Sequence, residues 1–191
     1  MGRHKQFEPD EALDRAVAAF WELGYEKASM GDLVDRMGVA RRSLYDTYGD
    51  KHALYLKALD RYVDTVEAGQ RHSVADQIGA RAALRELFES SIREYPPRPA
   101  GCFVVNTATE VALQDDEVGT WVSRNFHDWR ALIERIIVDG QHAGEISDRH
   151  DPETLAASLF NAWVGLRVQA RVERDRERLV PMIDGMMRLL D

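Results

Sequence analysis

The chain has a single cysteine, Cys102, among its 191 residues. An internal disulfide is therefore excluded, and nothing in the sequence calls for an oxidising compartment. Long apolar runs are also missing, and the longest fall well short of the roughly 20 residues a membrane helix needs. The opening MGRHKQFEPDEAL holds no hydrophobic signal region. The cytoplasm, without membrane association, is the expected location. No P-loop, GxGxxG, GxSxG or HExxH occurs, so no nucleotide cradle, nucleophile elbow or zinc helix is present. No enzyme activity, cofactor or resident metal is expected. His142, Asp148, His150 and Asp151 fall near one another, but in a polar loop without metal-ligand spacing, and read as solvated. Repeats, low-complexity tracts and long Pro/Gly/Ser linkers are absent as well.

Net positive charge is lacking too. With 25 Lys and Arg against 33 Asp and Glu, the chain carries −8, which counts against a nonspecific nucleic-acid coat. Residues 1–51 are themselves slightly acidic, with 8 Lys and Arg against 10 Asp and Glu. Any DNA affinity has to come from local placement of Arg41, Arg42, Lys51 and the arm residues Arg3 and Lys5. Hydrophobic content of 45% with 30% charged residues is that of an ordinary globular chain, long enough for one core or two small ones.

What is present centres on residues 29–51, SMGDLVDRMGVARRSLYDTYGDK. Ser29 with Asp32 three residues on has the form of a capping box. Leu33, Val34 and Met37 then make one apolar helical stripe, and Gly38 supplies the left-handed turn that ends a helix. A second short helix follows from Arg41. Leu44 and Tyr48, four apart, anchor it inward and leave Arg41, Arg42, Ser43 and Thr47 facing out. Gly49 ends it and Asp50 caps the next helix. Two short helices joined by a glycine turn form a helix-turn-helix, whose second helix presents its N-terminal side chains to base edges in the major groove. An arginine paired with guanine O6 and N7 is worth about 1–3 kcal/mol of discrimination.

Phe20, Gly24, Tyr25, Ser29, Leu33, Gly38, Val39, Ser43, Leu44, Tyr45, Tyr48, Asp50, Lys51 and Leu54, at this spacing, resemble the DNA-binding region of TetR-family transcriptional regulators. The resemblance covers roughly residues 7–60. It departs from the family at Asp46 and Thr47, where an aromatic and often a histidine stand, and at Ala40, where Ser or Thr often caps the recognition helix. The resemblance implies that Arg41, Arg42 and Ser43 touch bases and that Tyr45 and Lys51 touch phosphates. Thr47 and Tyr48 complete the DNA-binding set. It also implies an all-α fold of about nine helices. Residues 1–50 form the helix-turn-helix head, and 51–191 form a ligand-binding and dimerisation domain joined to it by the helix from Lys51. The partners implied are a double-stranded operator, a small-molecule effector and a second copy of the chain.

The remaining chain fits that expectation. Pro9 opens a first helix that Gly24 stops, with Leu13, Ala16, Val17, Phe20 and Leu23 inward. A long helix runs from Lys51 to about Arg71, carrying Leu54, Ala58, Leu59, Tyr62, Val63 and Val66 on its buried side. The stretch HSVADQ reads as a polar join. A helix over Ala82–Tyr95 is ended by Pro96, Pro97 and Pro99. The run GCFVVNTATEVALQ reads as a further helix rather than a buried strand. Glu117–His142 is a long helix, Asp151-Pro152 opens the next, and a last one holds Leu179 to Leu190.

In the C-terminal part, Cys102, Phe103, Asn106, Trp121, Asn125, Phe126, Trp129, Trp163 and Arg167 are the candidate effector-site residues, aromatic walls with a few polar groups. Asn161 is a further polar candidate, and Glu110 is either a buried acid in a pocket or a surface residue. GCFVVN resembles a segment found in many TetR-family members at the start of their sixth helix. Leu155, Leu159 and Leu166 with Val180, Ile183, Met187 and Leu190 are the expected dimer seam. The function expected is a repressor released from a palindromic operator by a small molecule. Two alternatives stand beside it. One is a redox or electrophile sensor of the same fold acting through Cys102, although only Arg98 lies near that cysteine in sequence. The other is a small helical enzyme or adaptor without a DNA role.

Overall fold

The capping signals read from the sequence are made with the expected side chains. In a computed structural model describing residues 8–93, 101–173 and 175–191, Ser29 Oγ accepts from Asp32 N at 3.1 Å while Asp32 accepts from Ser29 N at 3.0 Å. Asp50, Asp115, Asp151 and Asp175 each accept from a first-turn amide of the helix that follows. Each such cap satisfies a backbone donor that the helix itself leaves open, worth about 1 kcal/mol.

The caps delimit α1 (Pro9–Leu23), α2 (Met30–Met37) and α3 (Arg41–Tyr48), which form the head. The fourth helix comprises Lys51–Tyr62, a π-helical segment Val63–Glu67 and Ala68–Ala75 without a break, so α4 is one element over 51–75. Then come α5 (Ala80–Ser90), α6 (Phe103–Glu110), α7 (Asp116–His142), α8 (Pro152–Gln169) and α9 (Arg176–Arg188). Among the described residues there are nine helices and no strands. None is long and apolar enough to cross a membrane.

The stretch expected to be a polar join is a correction. His72–Ala75 is helical and the connection is only 76–79. Val74 is buried in the core, and Ser73 donates to Glu86 on α5 at 2.6 Å, so packing overrides a polar composition. Helix α5 starts two residues before the expected position because Glu145 caps it from a distance, accepting from Ala80 N at 2.7 Å. At its other end α5 stops at Ser90, short of the expected Tyr95, since 91–93 are not helical; the arm with Arg3 and Lys5, Tyr95, Arg98 and Pro96, Pro97 and Pro99 lie outside the described residues.

The buried side chains form two cores. One joins α1, α2 and α3 to the first half of α4, α6 and the start of α7. The other joins α5, the rest of α7, α8 and α9. Phe126 and Val164 pack against both. The head thus shares a hydrophobic core with the first half of α4.

The second core also overturns the expected dimer seam. Leu155, Leu159, Leu166, Ile183, Met187 and Leu190 are all 6% exposed or less within the single chain, and Val180 is half-buried. Those side chains are spent on the protomer's own interior. What α8 and α9 turn outward instead is Val168, Met182 and Leu189, with Gly165 and Gly185 beside open space.

Candidate nucleic-acid interface and buried polar site

Helix α3 is held by its back and free at its front. Leu44 is fully buried and Tyr48 nearly so, whereas Arg41, Arg42, Tyr45 and Asp46 are exposed and Ser43 and Thr47 half-buried. Tyr48 is a correction to the DNA-contact set: its ring is 6% exposed and its hydroxyl donates to the Pro9 carbonyl at 2.7 Å, tying α3 to α1. Ala40 supplies no side-chain cap, so the first turn of α3 keeps its N–H groups open, as suits an element that meets phosphate. The Arg41 guanidinium lies 6.0 Å over the Tyr45 ring. Asp46 sits 3.8 Å from Arg42, an exposed pair on the same face. Lys51, at the start of α4, holds its ammonium 4.4 Å over the Tyr25 ring and 3.5 Å from the Glu26 carbonyl.

The second site is buried between α4, α6, α7 and α8. Glu67, in the π-helical segment, is 0% exposed. One of its oxygens, Oε2, accepts from Asn125 Nδ2 and from Trp129 Nε1, each at 2.8 Å, while Oε1 has no hydrogen-bond partner among the described residues. Arg167 is 5% exposed and lies 3.5 Å over the Trp163 ring. Its Nη1 donates to the Cys102 sulfur at 3.2 Å and its Nη2 to Gln70 Oε1 at 3.2 Å. Tyr62 donates its hydroxyl to the same sulfur at 3.6 Å. Burial, with the neighbouring Cys102 adding to it, keeps the Tyr62 phenol protonated well above its ordinary range, so it remains a donor. Trp163 Nε1 donates to Ser91 Oγ at 2.6 Å, and Trp129 and Trp163 meet edge to face with centroids 5.0 Å apart.

Of the expected effector-site residues, Cys102, Asn125, Trp129, Trp163 and Arg167 are brought together here. Phe103 packs on Tyr62, its ring edge-on at 5.7 Å. The buried Asn106 Nδ2 has no partner among the described residues. Trp121 is a correction: it packs with the head-side core, is half-buried, and donates Nε1 to Asp60 at 2.8 Å. Phe126 instead packs edge-on against Phe160 at 5.3 Å and lines an open cleft of about 450 Å³ between α6, α7 and α8, together with His127, Arg130 and Asn161. Glu110 is half-buried at the surface rather than in a pocket, and its carboxylate accepts from backbone amides of the head. Tyr62, Glu67, Gln70 and Ser91 belong to the buried site although sequence reasoning did not select them. Tyr62 was legible only as a buried position of α4.

Residues 12–58 match the model of the bacterial regulatory proteins of the tetR family, and residues 80–186 match the tetracyclin repressor-like C-terminal domain. The HTH-type transcriptional regulator YezE of Bacillus subtilis (strain 168) is 30% identical over the whole of both chains. The HTH-type transcriptional repressor ComR of Escherichia coli (strain K12) is 28% identical, over 98% of this chain and 91% of its own. A cysteine mutant of the TetR-family regulator CifR, solved with a 26-base-pair double-stranded operator, superposes over 100% of both chains with a TM-score of 0.90 and 29% identity. The chain belongs to the TetR family and is a DNA-binding transcriptional regulator.

Proposed function

We propose that the protein is a cytoplasmic, homodimeric repressor whose two α3 helices read a palindromic operator, and that a small molecule in the buried polar site releases it. Residues 1–50 act as the DNA-binding unit and 51–191 as the effector and dimerisation unit. The observation that carries the reading is the division of α3, with Leu44 and Tyr48 buried behind and Arg41 and Arg42 exposed in front. Arg41, Arg42 and Ser43 meet base edges, Tyr45 and Lys51 meet phosphates, and Thr47 borders the groove. The operator seen with CifR belongs to a relative of the same fold and length, which supports the same use of α3 here. The dimer forms through the outward face of α8 and α9, where Val168, Met182 and Leu189 stand exposed beside Gly165 and Gly185. Two-fold symmetry then sets the recognition helices about 34–36 Å apart, one turn of DNA. Glu67 Oε1, an acceptor buried in the site without a partner among the described residues, suits an effector that carries a donor. An effector acts only through unequal affinity for the bound and released states.

Fluorescence anisotropy with DNA from upstream of the protein's own gene tests the first step. The unmodified protein binds a specific site there, and Arg41→Ala and Arg42→Ala each bind it much more weakly while remaining dimeric. Equal operator affinity in both variants would remove those side chains from the reading.

A second reading is favoured by one observation: Arg167 Nη1 and the Tyr62 hydroxyl both donate to the Cys102 sulfur. A sulfur held as an acceptor beside a guanidinium is suited to attack a small electrophile or to be oxidised. The protein then senses through Cys102 what the first reading senses through occupancy alone.

A further inference from the structure

Glu110, at the C-terminal end of α6, reaches into the head. Its Oε2 accepts from Tyr25 N at 3.1 Å and its Oε1 from Glu26 N at 3.0 Å. The fork occupies the space that a Cβ at residue 24 would need, with both oxygens 2.7 Å from that position, and Gly24 has φ +84°. Only glycine meets both conditions without displacing the carboxylate. The gripped turn is also the one that holds Lys51, through the Tyr25 ring and the Glu26 carbonyl.

The other end of α6 stands in the buried polar site, with Cys102 as its N-cap residue. Eight residues at 1.5 Å each separate the two ends by about 12 Å. Between them, Phe103 packs edge-on against Tyr55 and Tyr62 at 5.7 Å each, and Thr107 Oγ1 is 2.8 Å from the Tyr55 hydroxyl. The Tyr55 ring in turn lies 4.7 Å from that of Tyr25. Helix α6 is therefore a short rigid element with one end in the buried site and the other on the turn beside Lys51.

We propose that Glu110 is a positioning residue for DNA binding. It fixes the turn at 24–26, and through it Lys51, in the DNA-competent place, and it transmits to that turn any shift of α6 that begins at Cys102. A carboxylate forked over two backbone N–H groups makes charge-assisted bonds that depend steeply on geometry, so a small translation of α6 breaks or remakes them. The proposal rests on the reading of Lys51 as a phosphate contact and of the Cys102 region as the effector site.

The test uses the full-length protein, with Cys102→Met as a fixed disturbance of the buried site. In Glu110→Ala, hydrogen exchange at the Tyr25 and Glu26 amides rises, and the salt dependence of operator binding flattens as it does in Lys51→Ala, by about 1 per half-site. Adding Lys51→Ala to Glu110→Ala changes nothing further. Cys102→Met weakens operator binding in the parent but not in the Glu110→Ala background. Glu110→Gln, which keeps one acceptor oxygen, shows the same effects at smaller size and replaces Glu110→Ala should that variant not fold. A parental salt slope in Glu110→Ala, with a flattened one in Lys51→Ala, overturns the positioning role and leaves the reading of Lys51 standing. No effect of Lys51→Ala removes that reading and the proposal with it. An equal loss from Cys102→Met in both backgrounds, or no loss in the parent, refutes transmission through Glu110.

Discussion

The sulfur of Cys102 lies 3.2 Å from Nη1 of Arg167, and both residues are almost wholly shielded from solvent. The two are 65 positions apart, and α6 and α8 bring them together. Negative charge that develops on sulfur as it attacks an electrophile is stabilised by the guanidinium. Two charges about 4 Å apart at an effective dielectric of about 20 interact by about 4 kcal/mol, so a third of that is about tenfold in rate.

Arg167→Met, which keeps the bulk and removes the charge, is therefore expected to slow alkylation of Cys102 by iodoacetamide about tenfold. The rate is read by mass spectrometry over time. Cys102→Ser retains operator binding and no longer releases DNA on treatment with oxidant or electrophile. An unchanged response in Cys102→Ser removes the thiol reading and leaves reversible occupancy of the same site.

Glu67 supplies a second expectation. Removing it in Glu67→Ala leaves the buried donors of Asn125 and Trp129 without an acceptor, at about 1–3 kcal/mol each. Urea denaturation should show a loss of about 2–6 kcal/mol. Glu67→Gln keeps an acceptor oxygen for both donors and is expected to retain most of the parent's stability. A Glu67→Gln variant as unstable as Glu67→Ala would show that the second carboxylate oxygen is needed to hold the site.

The sequence made the head legible because its signals are local: Ser29 with Asp32, Gly38, the pair Leu44 and Tyr48, and Asp50 all act within five residues of their partners. The same holds for the Asp151 cap of α8, whereas the Asp115 and Asp175 caps were not read from the sequence. The buried site was legible only in part. Trp129, Trp163, Asn125 and Arg167 announced themselves by residue type, whereas Glu67 did not. Ordinary helical spacing along α4 places Val63 and Val66 inward with Tyr62. The π-helical segment adds a residue to that turn, so Glu67, five after Tyr62, faces inward, and Val74, two α-turns later, follows it. Nothing in VDTVE marks that register shift. The dimer face failed for a related reason: a sequence shows that Leu155 or Ile183 is buried without showing against which copy.

Three glycines separate fold from assembly. A Cβ at Gly140 would lie 2.6 Å from both Ala80 Cβ and Ile146 Cδ1, whereas one at Gly165 or Gly185 would meet nothing within 4 Å among the described residues. Gly140→Ala is expected to destabilise the protein by about 1–3 kcal/mol through overpacking, despite the better helix propensity of alanine. Gly165→Ala and Gly185→Ala should each stabilise the isolated helix by up to about 1 kcal/mol. Substitution to Leu at either position should instead weaken the dimer, read by sedimentation velocity. Dimers unaffected by leucine at both sites would move the interface off this face.

Asp115 sets a pH dependence. Its carboxyl is held below the usual aspartate range, first by the Val118 amide and then by His52, whose Nε2 is 2.8 Å away. A lowered folded-state value means that the unfolded chain takes up the proton more readily. The contribution is thus complete above the ordinary aspartate range and lost as pH falls through the lower folded value. The gap in stability between the parent and Asp115→Ala, about 1 kcal/mol at neutral pH, should hold from pH 7 to about 5 and close below about pH 4. A gap that persists at lower pH would mean that packing, not the charged cap, accounts for it.

The DNA interface itself is tested by separating base contacts from phosphate contacts. Arg41 and Arg42 are exposed at the front of α3. Losing a bidentate guanine contact costs about 1–3 kcal/mol per half-site and falls only on sites carrying that base. Arg41→Ala and Arg42→Ala should therefore relax preference at particular operator positions in a binding-site selection. Lys51 stands at the head of α4 with its ammonium tethered over Tyr25. Lys51→Ala should weaken specific and nonspecific DNA alike and reduce the slope of log affinity against log salt by about 1 per half-site. Asp46 beside Arg42 sharpens the contrast. Asp46→Asn removes an acid from the exposed face that Arg42 shares, so it should raise nonspecific affinity while lowering discrimination where Arg42 reads. Uniform weakening by Arg42→Ala across all sequences would assign that side chain to the backbone and leave base reading to Arg41 and Ser43.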